Sequence, residues 1–205
     1  MGTIDLKGKL IVFEGIDFTG KSTQVELLAD RLVQRGYDVV TTREPGGTAV
    51  GESVRQILLS RENSALLPLS ELLLFIISRA QHTAEVIEPA LKRGAVVLAS
   101  RYRLSSLAYQ GYGRGIDLGL IRRLNDVATG GRQPDVTFLI DLPAETALNR
   151  KRGKGDRIES ETYSFYQRVR QGYLELMGND PHIHRIDGTL SVVAIAETVA
   201  NYLGI

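Results

Sequence analysis

The chain has 205 residues, 43% of them hydrophobic, with 25 basic and 24 acidic side chains. That length suits one domain with room for a mobile insert, and the apolar share excludes a disordered chain. A net charge near zero argues against broad binding to nucleic acid or anionic membrane, and the absence of cysteine excludes disulfide and thiolate chemistry.

The opening stretch "MGTIDLKGKLIVF" lacks the long apolar core of a signal peptide, and Leu6 stands where an N-acylation motif needs Ser or Thr. Its end, "KLIVFEG", reads as a buried strand. The segment "STQVELLADRLVQRG" follows with helical spacing: Val25, Leu28, Leu32 and Val33 are expected on one face, with Gly36 as the stop. Next come "YDVVTT", a second strand, and the turn "REPGGT". The most apolar run, "LLPLSELLLFII", contains Pro68, Ser70 and Glu71 and falls short of the roughly 20 residues that cross a bilayer. Three further strands are expected at "AVVLAS", "VTFLID" and "HIHRID". Strands alternating with helices predict an α/β fold with a mostly parallel five-stranded sheet, helices on both faces. A soluble, cytoplasmic protein with no membrane partner is the expectation.

Ligands of such sheets bind beyond the carboxyl ends of the strands. The first strand runs straight into Gly15-Ile16-Asp17-Phe18-Thr19-Gly20-Lys21-Ser22, a full G-x-x-x-x-G-K-[ST] match between a strand and a helix. Backbone N–H groups of such a loop point inward at phosphate, Lys21 bridges the terminal phosphates, and the Ser22 hydroxyl, next to Thr23, serves as the Mg²⁺ ligand. Nucleoside triphosphate binding is the inference. His182 and His184 would share a strand face, but no third ligand stands near them in sequence.

Further segments are "FEGID…GKSTQ", "TREPGGT", "ELLLFIISRAQH", "RYRLSSLAYQGYGRGID", "QPDVTFLIDLP" and "DRIESETYSFYQRVRQGYLEL". Together they resemble thymidylate kinases of the bacterial type over essentially the whole chain. The resemblance implies a P-loop nucleoside monophosphate kinase fold, a single domain over 1–205 with a lid at about 148–160, and a homodimer. It also implies ATP and dTMP as partners, with Mg²⁺ as cofactor, in transfer of the γ-phosphoryl group to give dTDP for dTTP biosynthesis. A phosphate monoester is already ionised near neutrality, with its second pKa at about 6, so the reaction needs cations and alignment and no general base. The strand-end loops suit that demand, being rich in arginine.

Position by position, the resemblance makes Arg101 and Arg55 ligands of the acceptor phosphate. Phe75 and Arg79, one helical turn apart, match the pair that stacks on thymine and hydrogen-bonds its O4. Ser105, Ser106, Tyr109 and Gln110 fall in the segment that reads the base and crowds the 2′ side of the sugar. Asp17 matches a carboxylate near the sugar 3′-hydroxyl, and Glu44 borders the same pocket. In the basic run "RKRGKGDR", Arg152, with Arg150 as its alternative, matches a lid arginine that closes over ATP. The chain departs from the family twice. Phe18 stands where relatives have a small or basic residue, and Ser100 replaces the Asp of an Asp-Arg-Tyr motif that helps hold Mg²⁺. Those departures leave a catalytically impaired nucleotide-binding homologue as an alternative, and the glycine loop and lid shared across the broader fold group leave a kinase for another nucleoside monophosphate as a second. Asp141, at the end of "VTFLID", is expected to be structural.

Overall fold

The computed structural model describes residues 5–178 and 180–205; residues 1–4, where the targeting and acylation readings begin, lie outside the described residues. Five strands form at the expected apolar runs, β2 extending one residue past its run: β1 (Leu10–Glu14), β2 (Val39–Arg43), β3 (Val96–Ser100), β4 (Val136–Asp141) and β5 (Ile183–Asp187). They pair in the order β2-β3-β1-β4-β5, every pair parallel. The chain crosses from one side of β1 to the other between β3 and β4, which opens a crevice beyond the carboxyl ends of β1 and β3.

Both faces of the sheet are covered, which is why β1 and β3 read as unbroken apolar runs. Ile11 and Phe13 face α1 (Lys21–Gln34) and α9 (Val192–Leu203), packing on Val25, Leu28, Leu32, Ile195 and Val199. Leu10 and Val12 face the other way, onto Ile87, Leu91 and Tyr102. Val33 does not join the α1 stripe but is 58% exposed. Eight residues after Val25, at 100° per residue, it has rotated about 80° away from that stripe.

The remaining helices are α2 (Ala49–Leu59), α3 (Pro68–His82), α4 (Glu88–Lys92), α5 (Arg103–Ser106), α6 (Leu118–Thr129), α7 (Ala144–Asn149) and α8 (Tyr163–Met177). Thr48 caps α2 by accepting from Gly51 N at 2.9 Å. Pro68 starts α3 at the position where a missing N–H costs nothing. Helix α5 runs into a wider turn at Leu107–Gly113 that packs along α8. Residues 150–162 join α7 to α8. No described helix is long and apolar enough to cross a membrane.

Candidate active site

The loop after β1 is shaped by close approaches. A Cβ at Gly15 would lie 2.5 Å from the Ile140 carbonyl, and Gly20 enters α1 with φ 90°. Phe18 holds φ 65° without being glycine. Lys21 is buried, its Nζ donating to Ile16 O at 2.6 Å. Burial, then the nearby Arg101 charge, drives the Lys21 ammonium down to about 7, with Asp17 and Glu14 pulling the other way. Ser22 and Thr23 stand exposed at the first turn of the helix.

Arg101 follows β3 with φ 72°, a left-handed conformation that turns its side chain back over the loop. Its Nη1 donates to Gly15 O at 3.0 Å, Ser105 Oγ at 3.2 Å and the Tyr173 hydroxyl at 3.3 Å. Its Nη2 donates to Asp17 Oδ1 and to the Tyr109 hydroxyl at 3.0 Å, and the guanidinium lies over the Tyr109 ring at 4.8 Å. Asp17 also accepts from Tyr109 at 2.9 Å and Tyr166 at 3.0 Å. Burial alone would raise the Asp17 carboxyl, but Arg101 and Lys21 with the two phenols outweigh it, so the group sits below its ordinary value.

Beneath Arg101 lies Glu14, the last residue of β1 and fully buried. It accepts from Tyr102 N (2.9 Å), Ser105 N (3.2 Å), Ser105 Oγ (2.6 Å) and Tyr173 (2.9 Å), which fixes the turn carrying Arg101. Burial pushes the Glu14 carboxyl up, against donors from Ser105 and the charge of Arg101. Neither Glu14 nor Tyr173 was among the expected site residues. The signal for Glu14 lay in the sequence: a carboxylate closing an apolar strand has to find partners.

A cavity of about 110 Å³ opens beside this cluster, walled by Asp17, Glu44, Arg55, Phe75, Arg101, Ser105, Ser106, Tyr109 and Gln110, all expected, together with Pro45, Leu59, Asp156, Ile158 and Glu159. The last three come from the segment joining α7 to α8. Asp156 and Glu159 cap each other's backbone: Glu159 N donates to Asp156 Oδ1 at 2.8 Å, and Asp156 N to Glu159 Oε2 at 3.1 Å. A larger groove of about 1270 Å³ opens near the amino ends of β1, β4 and β5, at Lys9, Asp135 and His182. It extends as far as Glu14 and Tyr102 but includes no residue of the phosphate loop, so chemistry outranks size here.

Arg79 does not reach the cavity wall. It is 1% exposed, and it donates to Glu44 Oε2 (2.8 Å), Ser106 Oγ (2.8 Å), Asn125 Oδ1 (2.6 Å) and Tyr102 O (3.0 Å), with Nη2 also 2.7 Å from Glu44 Oε2 as an ion pair. Glu44 in turn meets His82 Nδ1 at 3.1 Å. Arg55 does reach the wall, anchored by Nη1 to Pro45 O at 2.9 Å. Burial, then the Arg43 charge, makes its protonation less favourable than usual, against the pull of Glu52 and Asp156.

Outside the cavity, Arg157 ties the connecting segment down. Its backbone N donates to Leu59 O (3.0 Å), Nε to Leu58 O (2.8 Å) and Nη1 to Glu71 Oε2 (2.7 Å). Arg150 donates to Gly188 O at 3.1 Å, while Arg152 is exposed and makes no hydrogen bond or ion pair among the described residues. Ser100 presents its hydroxyl at the end of β3, 8% exposed. Asp141 is claimed by Arg170 (2.7 and 3.0 Å) and Arg185 (3.1 and 2.6 Å), and so is structural, as expected.

A phosphate loop and an arginine-lined cavity at the switch point of this five-stranded parallel sheet define a P-loop nucleoside monophosphate kinase fold. Comparison with known proteins is narrower. The family model described as thymidylate kinase matches residues 13–199, and the chain belongs to that family. It is 52% identical over 192 residues to a thymidylate kinase of Kosmotoga olearia, covering 92% of each chain. It is 48% identical over 196 residues to one from Caldanaerobacter subterraneus subsp. tengcongensis, covering 95% of this chain and 94% of the relative. The crystal structure of thymidylate kinase from Ehrlichia chaffeensis superposes with a TM-score of 0.79 at 39% identity, over 96% of this chain and 98% of that one.

Proposed function

We infer that the chain is an ATP-dependent thymidylate kinase that moves the γ-phosphoryl group of ATP onto the phosphate of dTMP. One observation carries this reading: the cavity offers Arg55 and Arg101 beside Lys21, while each of its carboxylates is already engaged. Asp17 is held by Arg101 and two phenols, Glu44 by Arg79 and His82, and Asp156 and Glu159 by each other's N–H groups. Such a site suits an acceptor that arrives ionised and poorly serves a hydroxyl that must lose a proton.

In this reading Gly15 to Thr23 hold the ATP phosphates, with Lys21 at the terminal ones. Arg101 and Arg55 take the acceptor phosphate, and Phe75 is the platform for thymine. Ser105, Ser106, Tyr109 and Gln110 border base and sugar, Asp17 lies by the 3′ side, and Glu44 closes the pocket. Arg79 acts on the base through Ser106, or directly once a protein acceptor gives way. Residues 148–160 form the lid of a single domain, with Arg152 or Arg150 closing over ATP. The donors fit Mg²⁺, a hard ion that prefers oxygen: the exposed Ser22 hydroxyl would hold it. When bound, the ion supplies charge neutralisation at the phosphates. Because Ser100 adds no negative charge there, Ser100→Asp should lower the Mg²⁺ concentration that gives half-maximal rate; an unchanged Mg²⁺ curve would show that another group serves. The exposed Leu67, Leu69, Leu73 and Ile77 at the start of α3 and along it support a homodimer. The product suits dTTP supply in a cytoplasm.

The test is to offer ATP and Mg²⁺ with dTMP, dUMP, dGMP or thymidine and follow ADP release. Fastest turnover with dTMP and none with thymidine is expected; preference for dGMP or thymidine would overturn the reading.

A further inference from the structure

Tyr166 and Tyr173 lie seven residues apart on α8, hence on one face. Both send their hydroxyls into the site from behind. Tyr173 meets Glu14, Ser105 and Arg101. Tyr166 is fully buried, its hydroxyl 3.0 Å from Asp17 Oδ2 and 3.3 Å from the Ile158 carbonyl. Both neighbours are acceptors, and a phenol carries one proton. The hydroxyl therefore serves one of them fully or is shared between the two.

The two acceptors belong to different parts of the chain. Asp17 is in the phosphate loop and grips Arg101. Ile158 is the inner end of the segment read as the lid; its side chain is buried in the same apolar cluster as Tyr166, and its carbonyl also accepts from Glu161 N at 3.0 Å. A phenylalanine at 166 would fill the same volume and leave these two parts unlinked.

We propose that the Tyr166 hydroxyl is a positioning group that links the lid to the acceptor pocket, dividing one proton between Asp17 and the Ile158 carbonyl. With Ile158 seated, the hydroxyl is drawn toward the lid while Tyr109 and Arg101 keep their hold on Asp17. When Ile158 lifts away, the whole proton goes to Asp17. Seating the lid thus changes the grip on the carboxylate that orients Arg101. The link rests on reading this cavity as the dTMP site and residues 148–160 as the lid.

Tyr166→Phe tests it, because only the hydroxyl is lost. In the ligand-free protein, amide exchange at residues 152–160 should be faster than in the parent. With dTMP, kcat/KM should fall about tenfold, the size of one lost hydrogen bond to a charged group, with KM for ATP unchanged. Exchange equal to the parent's overturns the link. If exchange changes while the parent protein itself shows no turnover with dTMP, the link stands and the substrate reading falls. Should Tyr166→Phe fail to fold, 3-fluorotyrosine at 166 keeps the volume and alters only the donor, and must still shift exchange at those amides.

Discussion

At the end of β3, Arg101 spends its guanidinium on five oxygen atoms of the pocket, whereas Arg152, in the segment between α7 and α8, is exposed and pairs with no described residue. One cation is set before substrate arrives, by a left-handed backbone and a buried carboxylate beneath it. The other has nothing to lose by moving. A phosphoryl-transfer site needs both kinds, one to fix the acceptor and one to arrive with closure. The sharpest way to break the contrast is Arg101→Ala. It should lower kcat/KM for dTMP by about a hundredfold or more, the range seen when a preorganised charge-stabilising donor is removed. A change under tenfold in steady-state assays would mean that Arg55 alone holds the acceptor.

Arg152→Ala probes the proposed lid. We expect kcat to fall by more than about tenfold with dTMP affinity nearly unchanged, since the lost contact forms only on closure. Isothermal titration with dTMP beside steady-state rates separates the two quantities. Loss of dTMP binding with normal turnover would place Arg152 in the acceptor pocket instead. If turnover survives, Arg150, now resting on Gly188 O, is the residue to replace next.

Lys21 belongs to the preset half, and its charge is where that presetting costs something. Burial holds it at about 7, below its ordinary 10.5. Between those values the unfolded chain binds a proton that the folded chain does not, so this group makes folding more favourable as pH rises from 7 toward 10. Binding of ATP runs the opposite way, because the phosphates want the ammonium. Affinity for ATP should therefore fall about tenfold for each pH unit above 7, with close to one proton taken up per ATP at pH 8. Calorimetry in buffers of different ionisation enthalpy reads that uptake directly. Zero uptake at pH 8 would mean that the ammonium is already charged in the free protein.

Much of the preset half was legible because its physics is local. A strand covered on both faces must be apolar throughout, so β1, β3 and β4 announced themselves, and Gly15 of the loop stands where the backbone passes within contact of Ile140. What escaped is what the chain brings from far away. Tyr166 and Tyr173 reach Asp17 and Glu14 from about 150 residues downstream, and nothing in their own neighbourhood distinguishes them from core aromatics. Asp156 stands inside the basic run "RKRGKGDR" and Glu159 just past it, and neither was singled out, yet both wall the cavity. Arg79 was legible as the match to a thymine-binding arginine, but the pattern could not say that Glu44, Ser106, Asn125 and Tyr102 would claim its guanidinium.

Phe18 offers the finest test of how the preset half is held. It and Arg101 are the non-glycine residues with positive φ among those described, at 65° and 72°, and they flank the same loop. Arg101 has hydrogen bonds that hold it in this conformation. Phe18 has a half-buried ring and no place on the cavity wall. A left-handed conformation costs an L-residue about 1–2 kcal/mol, while glycine adds roughly 0.5–1 kcal/mol of unfolded-state entropy. Phe18→Gly should thus stabilise the protein slightly, by up to about 1 kcal/mol, a rise in Tm of about 2–4 °C for a chain of this size. KM for dTMP should stay within about twofold, since the ring does not line the acceptor cavity. Differential scanning calorimetry decides the sign. A lower Tm would show that the packing of the Phe18 ring outweighs the strain, and that the loop owes its shape to that side chain as well as to its glycines.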